Sequence, residues 1–162
     1  MLNSMLEQMD ADIRRQNQAA GNVLEQNIQD NKSAKEQMED SLAKVLADID
    51  SQDRNMVSLK IAIEVKKGLI SVAQTQLAVR SQRPRKELCH DPAQVQLLAE
   101  VQEHSAYIKR LSGYLSQADM ELQALNRTQL FLEQKIQDKS LSLDIDQAIY
   151  VQLFQTIAVY TF

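Results

Sequence analysis

MEDSLAKVLADIDSQDRNMVSLKIAIEVKKGLISVAQTQLAVR, residues 38–80, reads as one long amphipathic helix. Two interleaved series of positions run through it. One holds Met38, Val45, Gln52, Leu59, Lys66, Ala73 and Arg80, and the other Leu42, Ile49, Met56, Ile63, Ile70 and Leu77. Together they alternate spacings of four and three, a mean of 3.5 residues, which keeps both series on one face of an α-helix. The second series is apolar throughout, the mark of a coiled-coil or bundle seam. So narrow a stripe suits a partner helix and does not suit the interior of a globule.

The same rhythm returns downstream at Leu97, Val101, His104, Ile108, Leu111, Leu115, Ala118, Leu122, Leu125, Gln129, Leu132, Ile136, Lys139 and Leu143. Asp91 is placed as an N-cap, Pro92 at the first helical position and Gln94 to close a capping box. Arg83-Pro84 ends the earlier helix, because the residue before a proline is pushed out of the α region. Two seams of similar length with a short joint favour an antiparallel hairpin, with consecutive helices of a longer rod as the alternative. Upstream, Leu6, Met9, Ile13, Ala20 and Val23 follow a register displaced by one residue, with the slip near Gly21. This predicts a helix over 2–31 that packs more loosely or bends. Two helices alone leave stripe and flanks partly uncovered, so a third is expected, from residues 2–31 or from another chain. The fold class is therefore all-α, a long coiled-coil or helical-bundle rod. Its expected parts are an N-terminal helical segment 1–31, a helix 32–81, a loop 82–91, a helix 92–144 and an apolar C-terminal tail 145–162.

Composition supports this class. The 162 residues include 3 Gly, 2 Pro and no Trp, so the clusters that build strands and tight turns are missing. A net charge of −4, from 18 basic and 22 acidic residues, offers no basic face for a phosphate backbone, and no nucleic-acid partner is expected. One cysteine leaves no internal disulfide framework. The start of the chain lacks the basic residues and apolar block of a signal peptide. Ala148–Phe162 is apolar but broken by Gln152 and Gln155, and it is shorter than the roughly 20 residues of a membrane span. No membrane partner is expected. The tail is read as packing on a neighbouring protein or over the bundle end, with adsorption to a membrane surface as the competing class.

No Gly-rich phosphate loop, nucleophile elbow or metal-ligand spacing is found, so neither an enzyme nor a cofactor is expected. Cys89 lies beside His90, but no further Asp, Asn, Cys or His completes a catalytic or metal site, and His104 is about four turns of helix away. Cys89 reads as a small apolar plug at an interface, or as a redox-sensitive thiol. The polar seam residues Gln52, Lys66, Arg80, His104, Gln129 and Lys139 read as markers of register or as snorkelling side chains. Contact with a neighbouring protein is the alternative. The loop cations Arg80, Arg83, Arg85 and Lys86 either meet an acidic partner surface or pair locally with Glu87 and Asp91.

The loop concentrates the unusual residues of the chain: Arg83, Pro84, Arg85, Lys86, Glu87, Leu88, Cys89, His90 and Asp91. It resembles the signature nonapeptide of the tektins, Arg-Pro-Asn-Val-Glu-Leu-Cys-Arg-Asp, and matches at Arg83, Pro84, Glu87, Leu88, Cys89 and Asp91. Arg85 and Lys86 replace the family's Asn and Val, and His90 its Arg, which makes the loop more basic. The flanks are similar too, at Ala34-Lys35, Leu42–Leu46 with Ile49, Leu69, Val72–Thr75 and Leu77. After the loop they match at Asp91–Gln94, Leu97, Glu100-Val101 and Ser140–Asp144. Past residue 144 the family's charged, Cys-containing continuation gives way to an apolar stretch with Tyr150, Phe154, Tyr160 and Phe162. A typical tektin is longer, so the chain is read as a short paralogue or isoform, or as the second half of a larger protein.

The resemblance implies a structural protein of the cytoskeleton, in the axoneme of a cilium or flagellum. The partners it implies are other tektin-like chains, in a homo- or hetero-filament, tubulin of the doublet lumen and other microtubule inner proteins. Loop residues Arg83–Asp91 would be the interaction site and the two seams the assembly surface, with Leu42, Ile49, Met56, Ile63, Ile70 and Leu77 on one helix. On the other helix the seam is carried by Val101, Ile108, Leu115, Leu122, Leu125 and Ile136. Without the family, a helical-bundle adaptor of spectrin-like or tethering type is the alternative.

Overall fold

The structure, a computed structural model, describes residues 1–82 and 92–160, the last four of these by backbone only. Helix α1 spans Leu2–Ser81 and helix α2 spans Pro92–Tyr160, and no strand occurs among the described residues. α1 closes with a turn in which the Gln82 amide donates to the Val79 carbonyl at 3.3 Å. α2 opens at Pro92, where a missing N–H costs nothing because that amide has no helical acceptor anyway. The expected cap, Asp91, lies outside the described residues. Gln94 Oε1 is buried and accepts no hydrogen bond among the described residues.

The chain divides into two compact units. The first joins Met1–Val45 to the part of α2 from Thr128 onward. Its helices run antiparallel, with Asn31 bonded to Asp146 and Lys139, and Gly21 near Leu153. Ile28 and Leu143 are its buried apolar residues. The second unit is Leu46–Arg127, again antiparallel, since Gln52 bonds to Ala118 and Glu121 while Lys66 covers Tyr107. Ile63, Ala73, Leu111 and Ala118 are buried there. No side chain of the described residues is fully enclosed. That is the geometry of paired helices: only a strip about two side chains wide leaves water, and the outer faces stay wet.

In three places the helices run differently from the sequence expectations. Residues 2–31 are helical and continue without a break into the following residues as the first part of α1. No proline or turn chemistry interrupts the run around Asn31-Lys32-Ser33, so intrahelical bonding continues. The slip of register near Gly21 is also absent. Asn17, Gly21, Leu24, Ile28, Asn31 and Lys35 are buried or half-buried, and they extend the four-and-three spacing of Met38 and Leu42 without a break. Leu6, Met9, Ile13 and Val23, the apolar residues one position off, are exposed instead. Burial here follows the phase established by the longer seam, against local hydrophobicity. Likewise α2 does not stop near 144 but continues to Tyr160, with Asp146, Tyr150 and Leu153 half-buried at the same spacing.

Gly113 lies on an open face of α2, and a Cβ built there meets nothing within 4 Å. Alanine at such a site removes backbone freedom from the unfolded chain at no steric cost. Gly113→Ala is expected to stabilise the chain by about 0.5–1 kcal/mol, raising the midpoint of a circular-dichroism melt by a few degrees.

Candidate assembly interface

The candidate surface is the strip that each helix turns toward the other, and it is built from side chains with 3.5-residue periodicity. In the first unit, Leu42 of α1 and Ile136 of α2 are half-buried in it, together with Met38, Val45 and Leu132. In the second unit, Ile63 is buried, while Ile49, Met56, Ile70 and Leu77 of α1 are half-buried. Val101, Ile108, Leu115, Leu122 and Leu125 of α2 are half-buried on the facing strip. The loop residues Arg83–Asp91 lie outside the described residues, so this surface is built from the helices alone.

Polar groups punctuate the strip, and several reach across it. In the first unit, the Asn31 side-chain amide donates to Asp146 Oδ2 at 3.3 Å and accepts from Lys139 Nζ at 3.2 Å. A neutral amide thus sits between a cation and an anion seven residues apart on the other helix. Sliding α2 by one heptad would move both partners by about 10 Å, so the bridge is satisfied in a single register. In the second unit, Gln52 Nε2 donates to the Ala118 carbonyl at 3.2 Å and to Glu121 Oε2 at 2.9 Å. Ala118 is 3% exposed, and a methyl side chain at that point lets the glutamine reach backbone. Lys66 lays its ammonium 4.7 Å from the centre of the Tyr107 ring, a contact of about 0.5–1 kcal/mol at an exposed site.

The remaining polar positions behave differently. Gln129 Nε2 donates to Glu133 Oε1 at 3.1 Å on its own helix. His104 and Arg80 are half-buried. Sequence reading missed Asn31, Lys35, Asp146, Tyr150 and Leu153. Continuing the alternation of four and three back from Met38 and forward from Leu143 would have reached each of them. Asn31, Lys35 and Asp146 are polar and do not mark an apolar stripe, while Tyr150 and Leu153 lie beyond Leu143, where the seam was expected to end.

Four ion pairs among the described residues are local. Asp12–Arg15, Lys35–Glu39, Asp50–Arg54 and Glu64–Lys67 each join residues three or four apart on α1. Such pairs support a helix by about 0.3–0.5 kcal/mol and say nothing of its partner. Among the described residues there is no group of His, Cys, Asp and Glu suited to a metal ion. No described helix is long and apolar enough to cross a membrane.

Removing the two amides should have unequal effects. Asn31→Ala strands Lys139 and Asp146 in a half-buried strip, and is expected to cost about 1–3 kcal/mol. Gln52→Leu frees a glutamate that already meets solvent and adds apolar area, so its expected cost is close to zero. Urea unfolding followed by circular dichroism checks both.

The sequence comparisons fit this geometry. The profile of the Tektin family matches residues 1–158. Over 147 residues, 91% of the chain, it is 35% identical to Tektin-4 of Bos taurus and 34% identical to Tektin-4 of Xenopus laevis. It is 33% identical to Tektin-4 of Homo sapiens over the same length. The aligned region covers 33%, 33% and 34% of those relatives respectively, so the chain spans about a third of their length. With a family match over almost every residue and a paired-helix strip in unbroken heptad phase, the chain belongs to the tektin family.

Proposed function

We propose that this chain is a structural, filament-type component of ciliary or flagellar doublet microtubules. It acts as a tektin-like microtubule inner protein that stabilises the axoneme through end-to-end and lateral helical packing. The observation that carries this reading is the family match over residues 1–158. The physical character of the chain supports it. Long helices with narrow buried strips and wide exposed faces are suited to being covered by neighbours along their length. In this reading the partners are other tektin-like chains, tubulin of the doublet lumen and other inner proteins. The work done is mechanical and requires no cofactor or chemical step.

The loop contributes a side-chain set suited to an acidic partner. Arg85 and Lys86 add two positive charges where the tektin nonapeptide has Asn and Val, and an acidic partner surface would attract them. In this reading their role is electrostatic attraction to the lattice.

An epitope-tagged chain expressed in multiciliated cells is expected to run the length of the axoneme and to stay there after detergent and high-salt extraction. Diffuse cytosolic signal, or complete loss on detergent extraction alone, would overturn the axonemal reading. Arg85→Glu combined with Lys86→Glu is expected to reduce incorporation severalfold while leaving helical circular dichroism unchanged.

A further inference from the structure

In the first unit the two helices leave a groove between them, lined by Gly21, Asn22 and Glu25 of α1 and by Tyr150, Leu153 and Phe154 of α2. A Cβ built at Gly21 would lie 3.6 Å from Leu153 Cδ2, so a side chain larger than alanine at position 21 would fill the space. Tyr150 and Phe154 stack, with ring centroids 6.4 Å apart and planes 26° from parallel. Phe154 is 63% exposed, so much of its ring meets solvent.

The surroundings of the groove carry negative charge only. Residues 16–31 of α1 hold Glu25 and Asp30, residues 140–160 of α2 hold Asp144 and Asp146, and neither stretch contains Lys or Arg. Asp30 and Asp146 accept hydrogen bonds from Gln26 and Asn31, which are neutral. Glu25 forms no ion pair among the described residues. Other rings of the chain have a cation to hand, for Lys66 and Arg110 lie over Tyr107, and Lys135 lies 5.5 Å from the centre of the Phe131 ring. The sequence around Tyr150 and Phe154 supplies none.

We propose that this groove receives an arginine side chain of a second protein, whose guanidinium lies against the Phe154 ring and donates to the Glu25 carboxylate. A guanidinium is planar and weakly hydrated, so it can stack on a ring and hydrogen-bond in its own plane at the same time. An ammonium is a strongly hydrated point charge and gains less from a ring face. The side-chain carbonyl of Asn22, on the same wall as Glu25, offers a further acceptor. An acidic side chain would be repelled by the surrounding carboxylates. An apolar one would dehydrate Glu25 without replacing its hydrogen bonds. The proposal goes beyond the axonemal reading and does not need it.

The test is fluorine NMR on the 162-residue chain labelled with 4-fluorophenylalanine, whose 3 phenylalanines are Phe131, Phe154 and Phe162. The probe is a blocked Gly-Arg-Gly peptide at low salt. The Phe154 signal should shift and saturate with a Kd on the order of 10 mM, the strength of one exposed ion pair with one cation–π contact and a hydrogen bond. The Phe131 signal, beside Lys135, is the internal control and should stay in place. A Gly-citrulline-Gly peptide, similar in shape but uncharged, should leave Phe154 unmoved, and Gly-Lys-Gly should bind more weakly than the arginine peptide. Glu25→Gln should weaken binding roughly threefold at unchanged helicity, and Asn22→Asp, which adds a carboxylate to the groove, should tighten it roughly twofold. Asp10→Asn removes the same charge outside the groove and should leave the affinity unchanged. Equal shifts from the citrulline peptide, equal affinity for lysine, or equal losses in Glu25→Gln and Asp10→Asn each overturn the proposal. If Glu25→Gln lowers helicity, Asn22→Asp decides, and no gain of affinity there overturns it.

Discussion

Everything in this molecule follows from burying a strip two side chains wide at a mean spacing of 3.5 residues. That spacing keeps the strip on one face of each helix and so allows two helices to meet along it. It also limits what the fold can gain. Ile28 and Leu143 in one unit, and Ile63, Ala73, Leu111 and Ala118 in the other, leave water almost entirely, while their neighbours along the strip remain partly wet. The drive to pair is spread thinly over many positions, and no single side chain anchors it.

Such a strip is permissive about alignment, since aliphatic side chains one heptad apart are nearly equivalent. Polar groups remove the degeneracy. Asn31 between Lys139 and Asp146, and Gln52 on the Ala118 carbonyl, are satisfied in one register only. Each costs apolar area and returns definition.

Much of the fold was legible in the sequence because it depends on phase, and phase is written in residues such as Ile49, Met56, Ile63 and Ile70. The start of α2 was legible from Pro92. What escaped were the places where local hydrophobicity and phase disagree. Leu6, Met9, Ile13 and Val23 make a better apolar series than Asn17, Gly21, Leu24 and Ile28, yet the second set faces α2. Within the first unit burial follows the spacing that leads to Met38 and Leu42, against local hydrophobicity. The candidate surface was legible only in part. The apolar members of the strip could be read directly, but the cross-strip role of Asn31 depends on two residues more than a hundred positions away.

The absence of any fully enclosed side chain among the described residues has a dynamic consequence. With no deep centre of its own, each unit should open locally, a turn or two at a time, and not in one concerted event. Backbone amides near the helix termini should exchange with solvent quickly, and those beside Ile63 and Leu111 most slowly. A protein built this way yields gradually under load, losing short lengths of contact and re-forming them when the load is released.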